Sequence, residues 1–210
     1  MRLVLISDTH MRHDALDVPE CDVLIHAGDF SGWGSQPDLV RFVEWFSTTP
    51  ARDKVFIAGN HDFICEQEPG LVHTLAREAG VHYLAEEEVR VGGLRIWGSP
   101  ITPNFCDLAF NRERGREIRA HWERIPEGID VLVTHGPPMG VGDLTWDAEE
   151  VGCEELLARV RQLQPRLHVF GHIHEARGEY SLHGLSTRFL NVSSTPLRGP
   201  GVLPPVVVDL

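Results

Sequence analysis

Val55-Phe56-Ile57-Ala58-Gly59-Asn60-His61-Asp62 is an apolar run that stops abruptly at a glycine and three polar side chains. The apolar part is too short for a helix and does not alternate, the signature of a strand buried on both faces of a parallel sheet. The same construction recurs four times. Leu3-Val4-Leu5-Ile6 ends in Ser7-Asp8-Thr9-His10, and Val23-Leu24-Ile25 ends in His26-Ala27-Gly28-Asp29. Val131-Leu132-Val133-Thr134 ends in His135-Gly136-Pro137-Pro138, and Leu167-His168-Val169-Phe170 ends in Gly171-His172-Ile173-His174. Between these runs, residues 37–46, 71–79 and 153–164 carry apolar side chains at helical spacing, so strand and helix alternate as βαβ units.

Other segments read differently. Residues 88–97 alternate around Gly92-Gly93 and predict a hairpin. Residues 112–122 are highly charged and read as a solvated helix, residues 99–110 as a loop rich in proline and aromatic side chains. Residues 180–192 and 206–210 close the chain with antiparallel strands. No internal repeat, low-complexity stretch or linker interrupts it. The expectation is an α/β fold forming one domain over residues 1–210, with a mixed sheet in the second half.

Composition narrows the function. The chain has 210 residues, 42% hydrophobic and 24% charged, which is globular composition and sufficient for a core. Its formal charge of −12 disfavours electrostatic docking on nucleic acid polymers or anionic membranes. No apolar run approaches the roughly 20 residues of a membrane span. The first apolar run meets Ser7-Asp8 too early for a signal-peptide core, which predicts a cytoplasmic protein. Cys21, Cys65, Cys106 and Cys153 form no CxxC pair and read as reduced thiols. Histidine, at 12 residues, is the unusual count.

Ligands in α/β sheets bind at the carboxyl ends of the strands. Five such ends deliver Asp8, His10, Asp29, Asn60, His135, His172 and His174 to one rim. Nitrogen and oxygen donors without thiolate suit Mn, Fe, Zn, Ni or Co. Seven candidates exceed the needs of one ion and fit two ions sharing a carboxylate. Any one fragment alone reads as an ordinary strand-to-loop turn; jointly, the five point to metal. His26 and His168 lie inside strands and read as packed core residues. His13, His73, His82, His121 and His183 have no partner spacing.

D-x-H, G-D, G-N-H-D, H-G and G-H-x-H, in this order from Asp8 to His174, resemble the calcineurin-like metallophosphoesterase superfamily. The runs 27–30, 57–61, 134–138 and 169–175 are similar to a branch of small metallophosphoesterase-domain proteins of vertebrate brain, and more distantly to class III cyclic nucleotide phosphodiesterases. The resemblance implies an αββα sandwich of two mixed sheets flanked by helices. It implies that Asp8, His10 and His174 hold one divalent ion, that Asn60, His135 and His172 hold a second, and that Asp29 bridges them, with manganese the expected metal. It further implies that His61 faces the substrate phosphate and protonates the leaving group, with Asp62 orienting it. The expected activity is hydrolysis of small phosphodiesters such as cyclic nucleotides by metal-bound hydroxide. The alternatives are a phosphomonoesterase, including a phosphoprotein phosphatase, and a non-catalytic interaction scaffold. The complete ligand set with His61 argues against the scaffold, and the lack of a basic cap against a DNA-repair nuclease.

Substrate choice then falls to side chains around the ions. Residues 99–111 form the long non-periodic stretch, a length usually kept for function. Phe105 or Phe110 is expected to stack on a base, and Asn104 or Asn111 to contact the substrate beyond the phosphate. The competing expectation is that both phenylalanines pack inward.

Overall fold

The structure, a computed structural model, describes residues 1–196 and 198–210. Thirteen strands are described: β1 (Arg2–Ile6), β2 (Cys21–Ala27), β3 (Ala51–Ile57), β4 (His82–Tyr83), β5 (Glu87–Val91), β6 (Leu94–Ser99), β7 (Thr102–Pro103), β8 (Asn111–Arg112), β9 (Val131–Thr134), β10 (Leu167–Phe170), β11 (Gly178–Tyr180), β12 (Arg188–Asn191) and β13 (Val206–Asp209). The α-helices are α1 (Gln36–Thr48), α2 (Phe63–Gln67), α3 (Pro69–Glu78), α4 (Arg116–Trp122) and α5 (Glu154–Leu163). One sheet has the order β13-β1-β2-β3-β4, the other β11-β12-β10-β9-β6-β5. Each is parallel in its centre and antiparallel at an edge, where β13, β5 and β11 reverse direction.

Alternate residues of the same strand serve different layers. Leu3, Leu5, Val23, Ile25, Val55 and Ile57 pack against Ile96, Val131, Val133, Leu167 and Val169 of the other sheet. Val4, Ile6, Leu24 and Phe56 point the other way, into the layer of Leu39, Phe42, Phe46 and Val72 from α1 and α3. On the second sheet Leu132 and Phe170 face the layer of Trp122, Leu156 and Val160 from α4 and α5. The strands are therefore buried on both faces, which is why their sequences do not alternate. This arrangement is the αββα sandwich.

Helix ends follow local chemistry. Ser35 caps α1 by accepting from the Asp38 N–H, while the Asp38 carboxylate accepts from the Ser35 N–H, and proline stands in the first turn. The expected helix over residues 112–122 is shorter: Gly115, at φ +82°, starts it, and Arg112 lies in β8. The expected loop over residues 99–110 is braced by strand pairing, with Thr102 and Pro103 in register with Asn111 and Arg112. The strand expected within residues 180–192 divides into β11 and β12, and β12 also runs parallel to β10. No described helix is long and apolar enough to cross a membrane.

The two sheets meet at the carboxyl ends of β1, β2, β3, β9 and β10. A bridge joins Ser7, beyond β1, to Ser193, beyond β12, and the Ser194 N–H donates to the Ser7 carbonyl at 2.8 Å. The Gly171 N–H donates to the His135 carbonyl at 3.0 Å, tying β10 to β9 at the same rim.

Candidate metal centre

All seven side chains expected as ligands stand at this seam. Atoms of Asp8, His10 and His174 lie within 4.8 Å of one another, as do those of Asp8, Asp29 and His135. Asp29 Oδ2 is 3.8 Å from His10 Nε2 and 3.3 Å from His135 Nε2, so a single oxygen reaches imidazoles of both groups. Asp8 Oδ1 is 3.4 Å from His174 Nε2. Asn60 Oδ1 lies 2.8 Å from His135 Nε2, and the rings of His135 and His172 stand 5.0 Å apart.

Backbone groups aim these side chains. His10 Nδ1 is 3.0 Å from the Ser31 carbonyl, and His135 Nδ1 is 2.9 Å from the Ala27 carbonyl. A carbonyl only accepts, so both Nδ1 atoms carry hydrogen, and Nε2 is the nitrogen that each ring turns to the site for a ligand role. The His172 N–H donates to both oxygens of Asp8 at 3.1 Å, and the His61 N–H donates to Asp29 Oδ1 at 2.9 Å.

Four of the seven adopt left-handed backbone: Asp8 at φ +53°, His10 at +41°, Asp29 at +58° and His172 at +68°. Such conformations cost about 1–3 kcal/mol each away from glycine and concentrate at working sites. Neighbouring glycines leave room for the carboxylates: a Cβ on Gly59 would meet Asp29 Oδ1 at 2.2 Å, and one on Gly171 would meet Asp8 Oδ2 at 2.2 Å. Oxygen and nitrogen donors at this density, with lone pairs converging from five strands, fit two divalent ions.

Electrostatics agree. Burial disfavours the Asp8 and Asp29 charges, but imidazole partners outweigh it, His174 for Asp8 and His135 for Asp29. Both carboxyls stay far below the usual range. Burial pulls the His135 imidazole down, yet Asp29 and Asp8 push it up to about 9; a proton here stands in for the cation the site is shaped to hold. Burial lowers His172 to about 4, and burial lowers His10 as well, which keeps their nitrogens available as ligands.

One expected role changes. Asp62 does not touch the His61 ring. Its carboxylate accepts from the backbone N–H groups of Gly59, Asp29 and Ser31 at 2.7, 2.9 and 3.0 Å and from the Ser31 hydroxyl at 2.7 Å. With four donors on a fully buried carboxylate, Asp62 fixes the Asp29 and Asn60 turns against each other. His61 is oriented instead by Gly32, whose carbonyl accepts from Nδ1 at 3.0 Å. Removing the Asp62 acceptor strands buried donors at about 1–3 kcal/mol each. Asp62→Ala is therefore expected to lower the urea midpoint of the metal-free protein by the equivalent of about 3 kcal/mol or more. An unchanged midpoint with lost activity would return Asp62 to a chemical role.

The loop residues separate. Phe110 is buried in the core, whereas Phe105 is 62% exposed and, with Asn104, lines a cleft of about 410 Å³ that also takes in Asp29, Asn60, His61, His172 and His174. Asn111 lies away from the cleft wall. Its amide donates to Asn104 Oδ1 and the Phe105 carbonyl and accepts from the Thr102 hydroxyl, so it shapes the loop rather than facing a ligand. Asn104 in turn donates to Glu113.

His26 and His168 are buried as expected, and each pairs with a threonine beside a candidate ligand: Thr9 at 3.0 Å and Thr134 at 2.9 Å. Sequence reading passed over Asn191 and Thr195. The Asn191 amide donates to the Gly171 and Ile173 carbonyls on either side of His172, and the Thr195 hydroxyl donates to the Asp8 carbonyl at 2.6 Å. Phe189-Leu190-Asn191 is itself an apolar run ending in a polar side chain, the pattern that marked the other strand ends.

Comparison with known proteins identifies the family. The chain is 41% identical over its whole length to human metallophosphoesterase domain-containing protein 1, spanning 71% of that protein. It is 34% identical over its whole length to a UPF0046 protein of Caenorhabditis elegans, spanning 81% of it. Among solved structures, phosphopantetheinyl hydrolase from Mycobacterium tuberculosis superposes with a TM-score of 0.61 at 17% identity, covering 91% of this chain and 88% of that one. TT1561 of Thermus thermophilus gives 0.59 at 13% identity, covering 90% and 88%; at these identities the likeness is one of fold. Residues 1–176 match the calcineurin-like phosphoesterase family. With the match spanning every one of the seven side chains at the seam, the chain belongs to the calcineurin-like phosphoesterases, hydrolases that depend on a pair of metal ions.

Proposed function

We propose that the chain is a phosphodiesterase that hydrolyses small diesters such as cyclic nucleotides with two divalent ions, manganese first among them. Asp8, His10 and His174 hold one ion, Asn60, His135 and His172 the other, and Asp29 joins the two. The observation that carries this reading is Asp29 Oδ2, set between His10 Nε2 and His135 Nε2. When bound, a paired metal centre acidifies water and clamps the oxygens of an in-line displacement at phosphorus. The protein's own part is to aim the ligands, seat the phosphate and manage the proton. With His61 Nδ1 fixed on Gly32, Nε2 is the atom left to carry a proton to the leaving oxygen.

The preference for diesters has its own support. Among the described residues, Arg114 is the one lysine or arginine in the cleft wall, and its guanidinium donates to Glu154 and to the Gly152 and Val151 carbonyls. A monoester dianion would find no free cation among them beyond the ions, whereas a diester carries one charge. The four cysteines, all unpaired, suit the reducing cytoplasm proposed for it.

Metal-stripped protein reloaded with Mn²⁺, and in parallel with Fe, Zn, Ni or Co, is expected to release p-nitrophenol from bis-p-nitrophenyl phosphate. The kcat/KM is expected to exceed that for p-nitrophenyl phosphate at least tenfold. The reverse ratio would make the protein a monoesterase, and no release with any metal would make it a scaffold.

A further inference from the structure

Among the described residues six large apolar side chains stand exposed, and four of them, Trp33, Phe105, Leu144 and Trp146, lie on the loops around the metal cleft. Trp146 is 84% exposed and Phe105 62%, and both line the cleft. Exposed aromatic surface gathered at a concave site marks a ligand contact more often than a chance of folding.

Neither ring is on a loose segment. The Trp146 N–H donates to Glu175 Oε1 at 2.8 Å, which fastens its loop to the turn carrying His174. The base of that loop is closed by buried Asp143, which accepts from the Gly140 and Gly152 N–H groups at 2.8 and 3.0 Å. Phe105 is framed by β7 and β8 and by the Asn111 amide on its carbonyl. Two aromatic side chains are thus held out by braced backbone and left uncovered. A cleft of about 410 Å³ falls in the range of small-molecule sites.

The charge around them has one sign. Asp147, Glu149 and Glu175 line the same cleft, and the guanidinium of Arg114 is committed to Glu154. With Arg114 paired, a second negative group on a ligand, away from the phosphate, would meet these carboxylates.

We infer that Trp146 and Phe105 grip a planar, uncharged group esterified to the phosphate, and that Asp147 and Glu149 turn away ligands bearing a negative group on that arm. The ligand class is a phosphodiester with one phosphate and a flat neutral arm, of which a cyclic mononucleotide is one member. Phosphate charge is met at the metals, while the aromatic pair supplies stacking that tolerates any base. The inference rests on the cleft being a phosphoester site, and its test separates the two.

Calorimetry on Mn²⁺-loaded protein at low salt compares three ligands without a hydrolysable ester. They are methylphosphonate, the phosphonate analogue of adenosine 5′-monophosphate, and that analogue bearing a 3′-carboxymethyl ether. The adenosine analogue is expected to bind about 5- to 100-fold more tightly than methylphosphonate. This ratio is expected to drop at least fivefold in Trp146→Ala and in Phe105→Ala. The carboxymethyl group is expected to weaken binding about 3- to 10-fold, and the double variant Asp147→Asn, Glu149→Gln to remove that penalty. Equal affinity for the methyl and adenosine phosphonates, or a ratio unmoved by both alanine variants, overturns the aromatic grip. A penalty unmoved in the double variant overturns the charge filter. If the ratio and its loss are seen but bis-p-nitrophenyl phosphate stays intact, the grip stands and the hydrolytic reading falls.

Discussion

Asp29→Asn is expected to strip the protein of at least one of its two ions and to lower kcat/KM for bis-p-nitrophenyl phosphate by about 10³-fold or more, the several kcal/mol that a metal centre supplies. Among the described residues no other carboxylate has one oxygen so close to imidazoles of both groups, at 3.8 Å from His10 and 3.3 Å from His135. An asparagine turned so that its carbonyl still accepts the His61 N–H places its NH2 against those two nitrogens. It then neither bridges nor neutralises charge. The metal-free protein offers a second readout. Asp29 is foremost among the groups holding His135 up near 9 against the pull of burial, so losing its charge must let that value fall. Proton titration of the histidines by NMR is expected to show His135 giving up its proton at lower pH in the variant. Metal content by mass spectrometry gives the decisive comparison: two ions per chain with near-normal turnover would remove Asp29 from the bridging position.

The sequence disclosed the parts of the site that local chemistry dictates. An apolar run ending at a turn is visible residue by residue, because a strand buried on both faces must be apolar throughout and its polar cargo must begin where burial ends. The rim of Asp8, Asp29, Asn60, His135 and His172 was legible for that reason. Asp62 misled because adjacency suggests a partnership with His61. The chain turns between them, and the carboxylate finds backbone N–H groups from residues 29, 31 and 59 instead. Nothing in a linear pattern separates Phe105 from Phe110, since one left-handed turn at Cys106 and Asp107 and another at Phe110 decide which ring faces the core. Trp146 was silent for a related reason: its loop is placed by Glu175, 29 positions away, and its importance lies in being left uncovered. Side chains that serve through remote backbone, Asn191 and Thr195 among them, carry no spacing motif at all.

His61→Gln is expected to keep both ions while turnover falls about 10²- to 10⁴-fold on substrates with poor leaving groups, the range for removing a general acid. His61 lines the cleft beside Asn60 and Asp29. Its Nδ1 is held by the Gly32 carbonyl at 3.0 Å, and its ring meets that of His10 edge-on at 5.1 Å. The link to Asp29 runs through the His61 backbone N–H, which glutamine retains, so the ligand frame should survive the change. What glutamine cannot do is hand a proton to the leaving oxygen. The loss should therefore depend on the leaving group. An alkoxide departing from an alkyl ester needs the proton and should show the full effect. p-Nitrophenolate leaves readily without one, so the same variant should lose far less on bis-p-nitrophenyl phosphate. A Brønsted plot over esters of graded alcohol pKa is expected to steepen in the variant, because the proton no longer tempers the charge on the leaving oxygen. A uniform loss across that series, with metal content halved, would mean that His61 binds an ion. A uniform loss with both ions present would leave it seating the phosphate.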